Sequence, residues 1–139
     1  MNVDSIRDGI VIDHITAGSA MKLYRLLGLE ALDVPVAMIT NVASVKRGRK
    51  DIIKIDADIP VDINVIGYVD PGATVNVIRD GRLVEKKRIG MPETLVNVLK
   101  CKNPRCISSC EQELDQVFRL ADREKKEYRC IWCEAKAEL

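Results

Sequence analysis

Four cysteines are the clearest chemistry in this chain. Cys101-x4-Cys106 is followed by 23 residues and then Cys130-x2-Cys133. Two close pairs separated by about 20 residues suit a tetrahedral Zn²⁺, each pair forming a knuckle and the stretch between them a small β element. Four thiolates close the coordination shell, so such a site is structural, with no open position for water. Iron is the other metal a four-thiolate site accepts, which would make the chain an electron carrier. All five cysteines fall after residue 100, and an odd number argues against a complete disulfide framework. Cys110 is the extra thiol and reads as a spectator. About 45 residues build little core alone, so metal would supply much of their folding free energy.

A second group of polar residues falls inside strand-like runs. Asp13 and His14 interrupt an apolar stretch, and a strict two-residue period places them on opposite faces. Lys50, Ile52 and Lys54 share one face of another strand, while Asp51, Ile53 and Ile55 share the other. Lys86, Lys87 and Arg88 end a third. A solvated sheet face explains these lysines, and a structural role explains a single histidine. A polyphosphate site explains them together: ammonium groups match phosphate charge, and a carboxylate accepts from ribose hydroxyls or an exocyclic amine. No Walker loop, GxGxxG, nucleophile elbow or paired-carboxylate motif is present, so the reading is a binding or regulatory protein, not an enzyme.

The elements that must position these groups follow from local pattern. Val11 to Ile15, Val34 to Val42 and Asp51 to Asp56 read as strands. Ser19 is placed to N-cap a helix over Ala20 to Leu27, with Gly28 at its end. Ser44 to Arg49 reads as a loop. Pro60 to Tyr68 reads as a second helix despite its β-branched content. Asp80-Gly81 between Ala73–Ile78 and Arg82–Lys87 is a hairpin signal. The order predicts an α+β fold: a ferredoxin-like split βαβ antiparallel sheet with two helices on one face, plus a small C-terminal zinc-bound β domain. A short helix over Pro92 to Leu99 would lead out of the first domain. The expected domains are 1–94 and 95–139, with Phe118, Tyr128 and Trp132 packing the second.

Composition narrows the function classes. The 139 residues carry 22 Lys+Arg and 21 Asp+Glu, a net charge of +1. Residues 1–94 hold 13 basic and 13 acidic side chains, and 95–139 hold 9 and 8. Neither part is a basic module, which argues against nucleic acid as a partner. A zinc-ribbon nucleic-acid adaptor remains the alternative, supported by KRGRK at 46–50 and the basic run Lys86 to Arg88, and opposed by only five aromatic residues. No apolar run reaches membrane-spanning length and MNVDSIRDG does not read as a secretion signal, so the expectation is a cytoplasmic protein without a membrane partner.

These motifs, in order, carry a resemblance. GIVIDHI at Gly9 to Ile15, GRKDIIKI at Gly48 to Ile55, ATVNVI at Ala73 to Ile78, Pro92-Glu93 and Asn97 to Leu99 come first. Cys101, Asn103, Cys106 to Ser108, Cys130 and Cys133-Glu134 follow. Along nearly its whole length the chain resembles the regulatory chain of aspartate carbamoyltransferase. The resemblance implies a non-catalytic subunit in pyrimidine biosynthesis. Its allosteric domain would bind CTP as inhibitor or ATP as activator and pair into a homodimer. Its zinc domain would dock onto the catalytic subunit. Carried over residue by residue, the nucleotide contacts are Val3, Asp4, Ile6, Val11, Asp13, His14, Lys50, Lys54, Asn76, Ile78 and Lys86. The zinc ligands are Cys101, Cys106, Cys130 and Cys133, and Asn103 and Glu134 match residues facing the catalytic chain. Two departures bear on ligand and partner: an aromatic residue near the base in some members falls at Gly81, and an interface asparagine falls at Arg105.

Overall fold

A computed structural model describes residues 6–138. Val3 and Asp4 lie outside the described residues. The chain divides into two compact units, Met1–Gly90 and Met91–Leu139. No helix among the described residues is long and apolar enough to cross a membrane.

The first unit runs β1 (Gly9–Thr16), α1 (Ala20–Leu26), β2 (Val36–Ser44), β3 (Gly48–Ile55), α2 (Ile63–Val69), β4 (Thr74–Arg79) and β5 (Arg82–Arg88). The sheet order is β2-β3-β1-β4-β5, with every neighbouring pair antiparallel. This is the expected split βαβ sheet, lengthened at one edge by the hairpin strand. Asp80 and Gly81 take φ of 51° and 73°, the left-handed pair that a two-residue hairpin turn of this kind requires. One sheet face supplies Ile10, Ile12, Ile15, Ile53, Ile55 and Val75 to the core. The helices add Ala20, Leu23, Val65 and Ile66, all buried.

β1 and β2 both depart from simple alternation. In β1, Ile12 pairs with Ile53 but Ile15 with Asp51; in β2, Ile39 pairs with Ile52 but Val42 with Lys50. Each mismatch is a bulge with one extra residue, and each holds a residue at positive φ: His14 at 58° and Asn41 at 59°. Asp13 and His14 therefore both fall between helix-face residues Ile12 and Ile15. The opposite-face placement that strict alternation gives them does not hold. β3 begins at Gly48, so the expected loop at 44–49 shrinks to a tight turn.

Asp51 occupies the space between the bulges. It is fully buried, and its carboxylate accepts N–H groups from Gly18 at 2.9 Å, Ala20 at 3.2 Å and Asn41 at 2.8 Å. Ser19 does sit at the N-cap of α1, but its side chain makes no capping hydrogen bond. The first turn of that helix is held by a strand residue. α2 is capped locally, Asp62 accepting from Asn64 N at 2.9 Å and Val65 N at 3.4 Å.

The second unit contains β6 (Thr94–Val96), α3 (Ile107–Cys110), β7 (Val117–Asp122) and β8 (Glu127–Cys130), in sheet order β6-β7-β8. The helix expected over Pro92 to Leu99 is not formed. Its centre is β6, with Leu95 opposite Phe118 and both fully buried. Burying that pair outweighs the local helix-start signal of Pro92. Phe118 and Tyr128 are core, as expected, and Tyr128 donates its hydroxyl to Pro92 O at 2.6 Å. Trp132 is not core: it is half exposed, tethered by its indole N–H to Asp115 O at 3.1 Å.

Candidate functional site: an open sheet face and a four-thiol centre

The sheet face opposite the helices is open. Strand register lays Lys54, Val11, Asn76 and Lys86 in one row across β3, β1, β4 and β5. A concavity of about 380 Å³ lies here, lined by Ile6, Val11, Asp13, Ile52, Lys54, Asn76, Ile78 and Gly81. Six of the residues implied by the resemblance thus share one cavity: Ile6, Val11, Asp13, Lys54, Asn76 and Ile78. Lys86 stands opposite Asn76 on the edge strand, exposed. His14 and Lys50 lie beyond the cavity lining, at the bulged end of β1. Ile52 lines the cavity without having been singled out, and Gly81 lines it too, the position at which some family members carry an aromatic residue near the base. Ile52 shares a strand face with Lys50 and Lys54, which was the available signal.

The two ends of this face differ. Ile6, Ile78 and Gly81 make one end apolar. At the other, Lys50 Nζ lies 2.9 Å from Asp13 Oδ1, which also accepts the His14 N–H at 2.6 Å. Burial pushes the Asp13 carboxyl upward. The Lys50 hydrogen bond, the His14 N–H and the adjacent positive charge outweigh it, and the net pKa is lowered. His14 Nδ1 lies 3.0 Å from Thr74 Oγ1. Burial lowers the His14 pKa first; Asp13 works against that, while Lys50, Lys46 and Lys86 add to it. In the cavity, Asn76 Oδ1 is buried and has no hydrogen-bond partner among the described residues. A buried amide oxygen left unpaired costs about 1–3 kcal/mol, which a ligand donor would recover.

The KRGRK run is not a free basic patch. Arg47 Nη1 donates to Thr16 Oγ1 at 2.8 Å and lies 3.6 Å from the buried Asp70 carboxylate. Asp70 also accepts the N–H groups of Thr16 and Gly72. The guanidinium passes so close to Gly72 that a Cβ there would fall 1.6 Å from Arg47 Nη2. Arg47 is thus a strap between the β2–β3 turn and the turn before β4.

In the second unit Cys101, Cys106, Cys130 and Cys133 converge, with all four sulfurs within 4.8 Å of one another. Cys101 and Cys133 are 3.6 Å apart, and Cys106 and Cys130 are 3.7 Å apart. Four sulfurs at ~2.3 Å from a tetrahedral Zn²⁺ are separated by about 3.8 Å, so the spacing fits that ion. Ser108 Oγ lies 3.0 Å from Cys106 Sγ and favours its thiolate, drawing that pKa down to about 6. Burial pushes Cys101 up to about 12, with the neighbouring sulfurs adding to the rise. A dication reverses that penalty, because a coordinating thiol gives up its proton.

The surroundings hold the knuckles in place. Gln116 accepts the Cys101 N–H at 2.8 Å and donates to Ser108 O at 2.7 Å, bridging the first knuckle. In the second, Ala135 N donates to Cys133 Sγ at 3.4 Å, and Glu134 takes φ of 64°. Ser108 and Gln116 were not anticipated; no spacing rule marks such supporting residues. Cys110 is exposed and outside the cluster. Of the two expected partner-facing residues, Glu134 is exposed and paired with Arg119 at 2.7 Å, while Asn103 Oδ1 accepts the Arg105 N–H at 3.1 Å.

An antiparallel α/β unit with an open sheet face, in one chain with a four-thiol unit, defines a two-unit protein that carries the donor set of a metal centre. Comparison with known proteins gives its family. A family model described as "Aspartate carbamoyltransferase regulatory chain, allosteric domain" matches residues 1–90, and its "metal binding domain" counterpart matches 93–138. The chain is 47% identical to the aspartate carbamoyltransferase regulatory chain of Clostridium botulinum over 134 residues, 96% of this chain and 92% of that one. It is 45% identical to that of Clostridium tetani, covering 96% and 94%. With that of Bifidobacterium longum it shares 43% over the full length of both. The chain belongs to the family of aspartate carbamoyltransferase regulatory chains.

Proposed function

We propose that this chain is a non-catalytic subunit that binds a nucleoside triphosphate on the open sheet face of its first unit. CTP would act as inhibitor and ATP as activator. The apolar end at Ile6, Ile78 and Gly81 would receive the base. Asn76 and Asp13 would bond base or ribose, and Lys54, Lys86 and Lys50 would meet the phosphates. The observation that carries this reading is Asn76 Oδ1, a buried acceptor with no partner among the described residues, in a cavity that Lys54 also lines. Exocyclic amines of cytosine and adenine are donors of the matching kind. Val3 and Asp4 belong to the same proposed set.

The remaining parts of the reading follow from the family. The second unit would hold one structural Zn²⁺ through Cys101, Cys106, Cys130 and Cys133, supplying fold stability and no chemistry. It would attach to the catalytic subunit of aspartate carbamoyltransferase, in the cytoplasm, with the first unit paired to a second copy. Control would be by linkage: a nucleotide with different affinity for two states of the assembly shifts their balance, by ~1–3 kcal/mol at most in typical cases.

Calorimetric titration of the zinc-loaded chain with CTP, then with ATP in competition, tests the site. Saturable CTP binding, displaced by ATP and weakened at least tenfold in Lys54→Ala and Lys86→Ala, is the expected result. No binding by folded, zinc-replete protein would overturn it.

A further inference from the structure

A second cavity, of about 500 Å³, borders the thiol centre, and Lys100, Cys101, Ser108, Gln112 and Gln116 are among the residues that line it. Of the four clustered thiols, Cys101 alone belongs to this lining. Burial also divides the four. Cys106 and Cys130 are buried, whereas Cys101 and Cys133 are half-buried. Their anchoring differs as well. Cys130 ends β8 opposite Phe118, Cys106 sits at the N-cap of α3, and Cys133 Sγ accepts the Ala135 N–H at 3.4 Å. Cys101 lies in no helix or strand. Its N–H is held at 2.8 Å by Gln116, whose amide nitrogen grips Ser108 O at 2.7 Å. Ser109 Oγ adds a longer bond, 3.3 Å, to Cys101 O. Lys100 precedes Cys101 in the chain, exposed, and brings a positive charge to the cavity.

We propose that this cavity is where the centre exchanges its metal: a small anionic chelating ligand enters it, and Cys101 is the first thiolate to release the ion and the last to bind it. This rests on the reading of the four thiols as a zinc site. A closed tetrahedral shell has no vacant position, so exchange starts where an incoming donor can reach the ion. Cys106 and Cys130 are shielded, and the cavity meets the cluster at Cys101. The step is a ligand substitution without electron transfer. The bond from the ion to Cys101 Sγ breaks, a bond to an oxygen or nitrogen of the chelating ligand forms, and the freed thiolate takes a proton from solvent. Lys100 raises the local concentration of an anionic ligand. Gln116 is a positioning residue: it ties the Cys101 main chain to that of Ser108, so its loss lets the first knuckle open. Loading runs in reverse, with Cys101 closing a shell that the other three thiols have begun.

The full zinc-loaded chain is mixed with excess pyridylazoresorcinol, an anionic chelator whose zinc complex is coloured, and release is timed by absorbance. The rate should rise in proportion to chelator concentration. Gln112→Trp, which fills the cavity from an exposed position, should slow release several-fold. Lys100→Glu should slow it at low salt, with the difference shrinking as salt is added. Gln116→Ala should speed it by roughly tenfold or more. A rate independent of chelator concentration means that the ion leaves by unfolding of the unit, and it overturns the proposal. So does a rate unchanged in both Gln112→Trp and Lys100→Glu. Maleimide labelling of the wild-type chain during release, read by mass spectrometry, needs no variant. Exposed Cys110 should react at once, and Cys101 should follow ahead of Cys133. Cys133 reacting ahead of Cys101 overturns the route. A purified chain that holds no zinc refutes the metal reading itself.

Discussion

Asp51 Oδ2 accepts the N–H of Ala20 at 3.2 Å, so a carboxylate on β3 holds the first turn of α1 from across the core. The same group takes the N–H of Gly18 and, through Oδ1, that of Asn41 in the β2 bulge. One buried side chain thereby fixes a helix start and a bulge, on the strand that carries Lys50, Ile52 and Lys54. Replacing Asp51 by Asn keeps the shape but removes the charge and turns an amide NH₂ toward backbone donors. Hydrogen bonds to buried charged groups are worth roughly 1.5–3 kcal/mol each, and coupling makes several non-additive. Asp51→Asn should cost about 2–4 kcal/mol in urea unfolding of the first unit. Ser19→Ala, at the formal N-cap, should cost under about 0.5 kcal/mol, below the ~1 kcal/mol of a working cap. Equal losses in the two variants would refute this assignment.

Metal removal should act on one unit only. The second unit's core is small, being Leu95, Leu99, Phe118 and Tyr128 beside two of the thiols. Its folding free energy therefore depends on the ion, whereas the first unit has its own isoleucine-rich core. Treatment with a chelator should abolish amide protection across residues 91–138 and leave that of 6–90 in place, as hydrogen exchange with mass spectrometry would resolve. Cys101→Ser should lower bound zinc from one ion per chain toward none. Cys110→Ser should leave it at one, because that thiol lies outside the cluster.

Much of this arrangement was legible in the sequence, for physical reasons that differ by element. The hairpin at Asp80-Gly81 was readable because positive φ at both turn positions restricts the residue choice. The thiol centre was readable because ligand spacing is set by coordination geometry. What escaped depends on contacts distant in sequence. The Pro92–Leu99 stretch carries a helix-start signal, and only the Leu95–Phe118 pairing makes it a strand. Asp51 alternates with Ile53 and Ile55 on the core face, yet nothing local says that three backbone donors from other elements meet it there. The bulges at 13–14 and 40–41 are invisible to a period-two reading, so the joint placement of Asp13 and His14 was missed. Of the site itself, the residue types of the open face were legible, but their common row across four strands required the register.

Acid should weaken the Asp13–Lys50 link in a defined window. The Asp13 pKa is lowered in the fold from its ordinary value of 3.8. A depressed carboxyl contributes stability that is fully present above the unfolded value and lost as pH falls through the folded one. The link should therefore be intact at neutral pH and lost progressively below pH 3.8. Asp13→Asn should flatten the acid limb of a stability-against-pH profile in that region. An unaltered acid limb in the variant would show that the pair contributes nothing to stability.

Asn76 offers a separation of stability from binding. Its buried Oδ1 lacks a partner among the described residues, a cost of about 1–3 kcal/mol that a well-packed apolar residue would not carry. Leucine branches at Cγ as asparagine does, and its extra bulk has room in the open cavity beside it, which Val11, Ile52 and Ile78 also line. Asn76→Leu should therefore leave thermal stability equal to wild type or raise it by roughly 1 kcal/mol. The same change removes the acceptor proposed to meet the nucleotide, so CTP affinity should fall at least tenfold, about 1.4 kcal/mol. A thermal melt and a calorimetric titration on one preparation read both quantities. Gain in stability with loss of affinity is the signature of a polar group retained for its ligand. If Asn76→Leu loses stability and keeps CTP affinity, the amide serves the fold and the proposed contact is wrong.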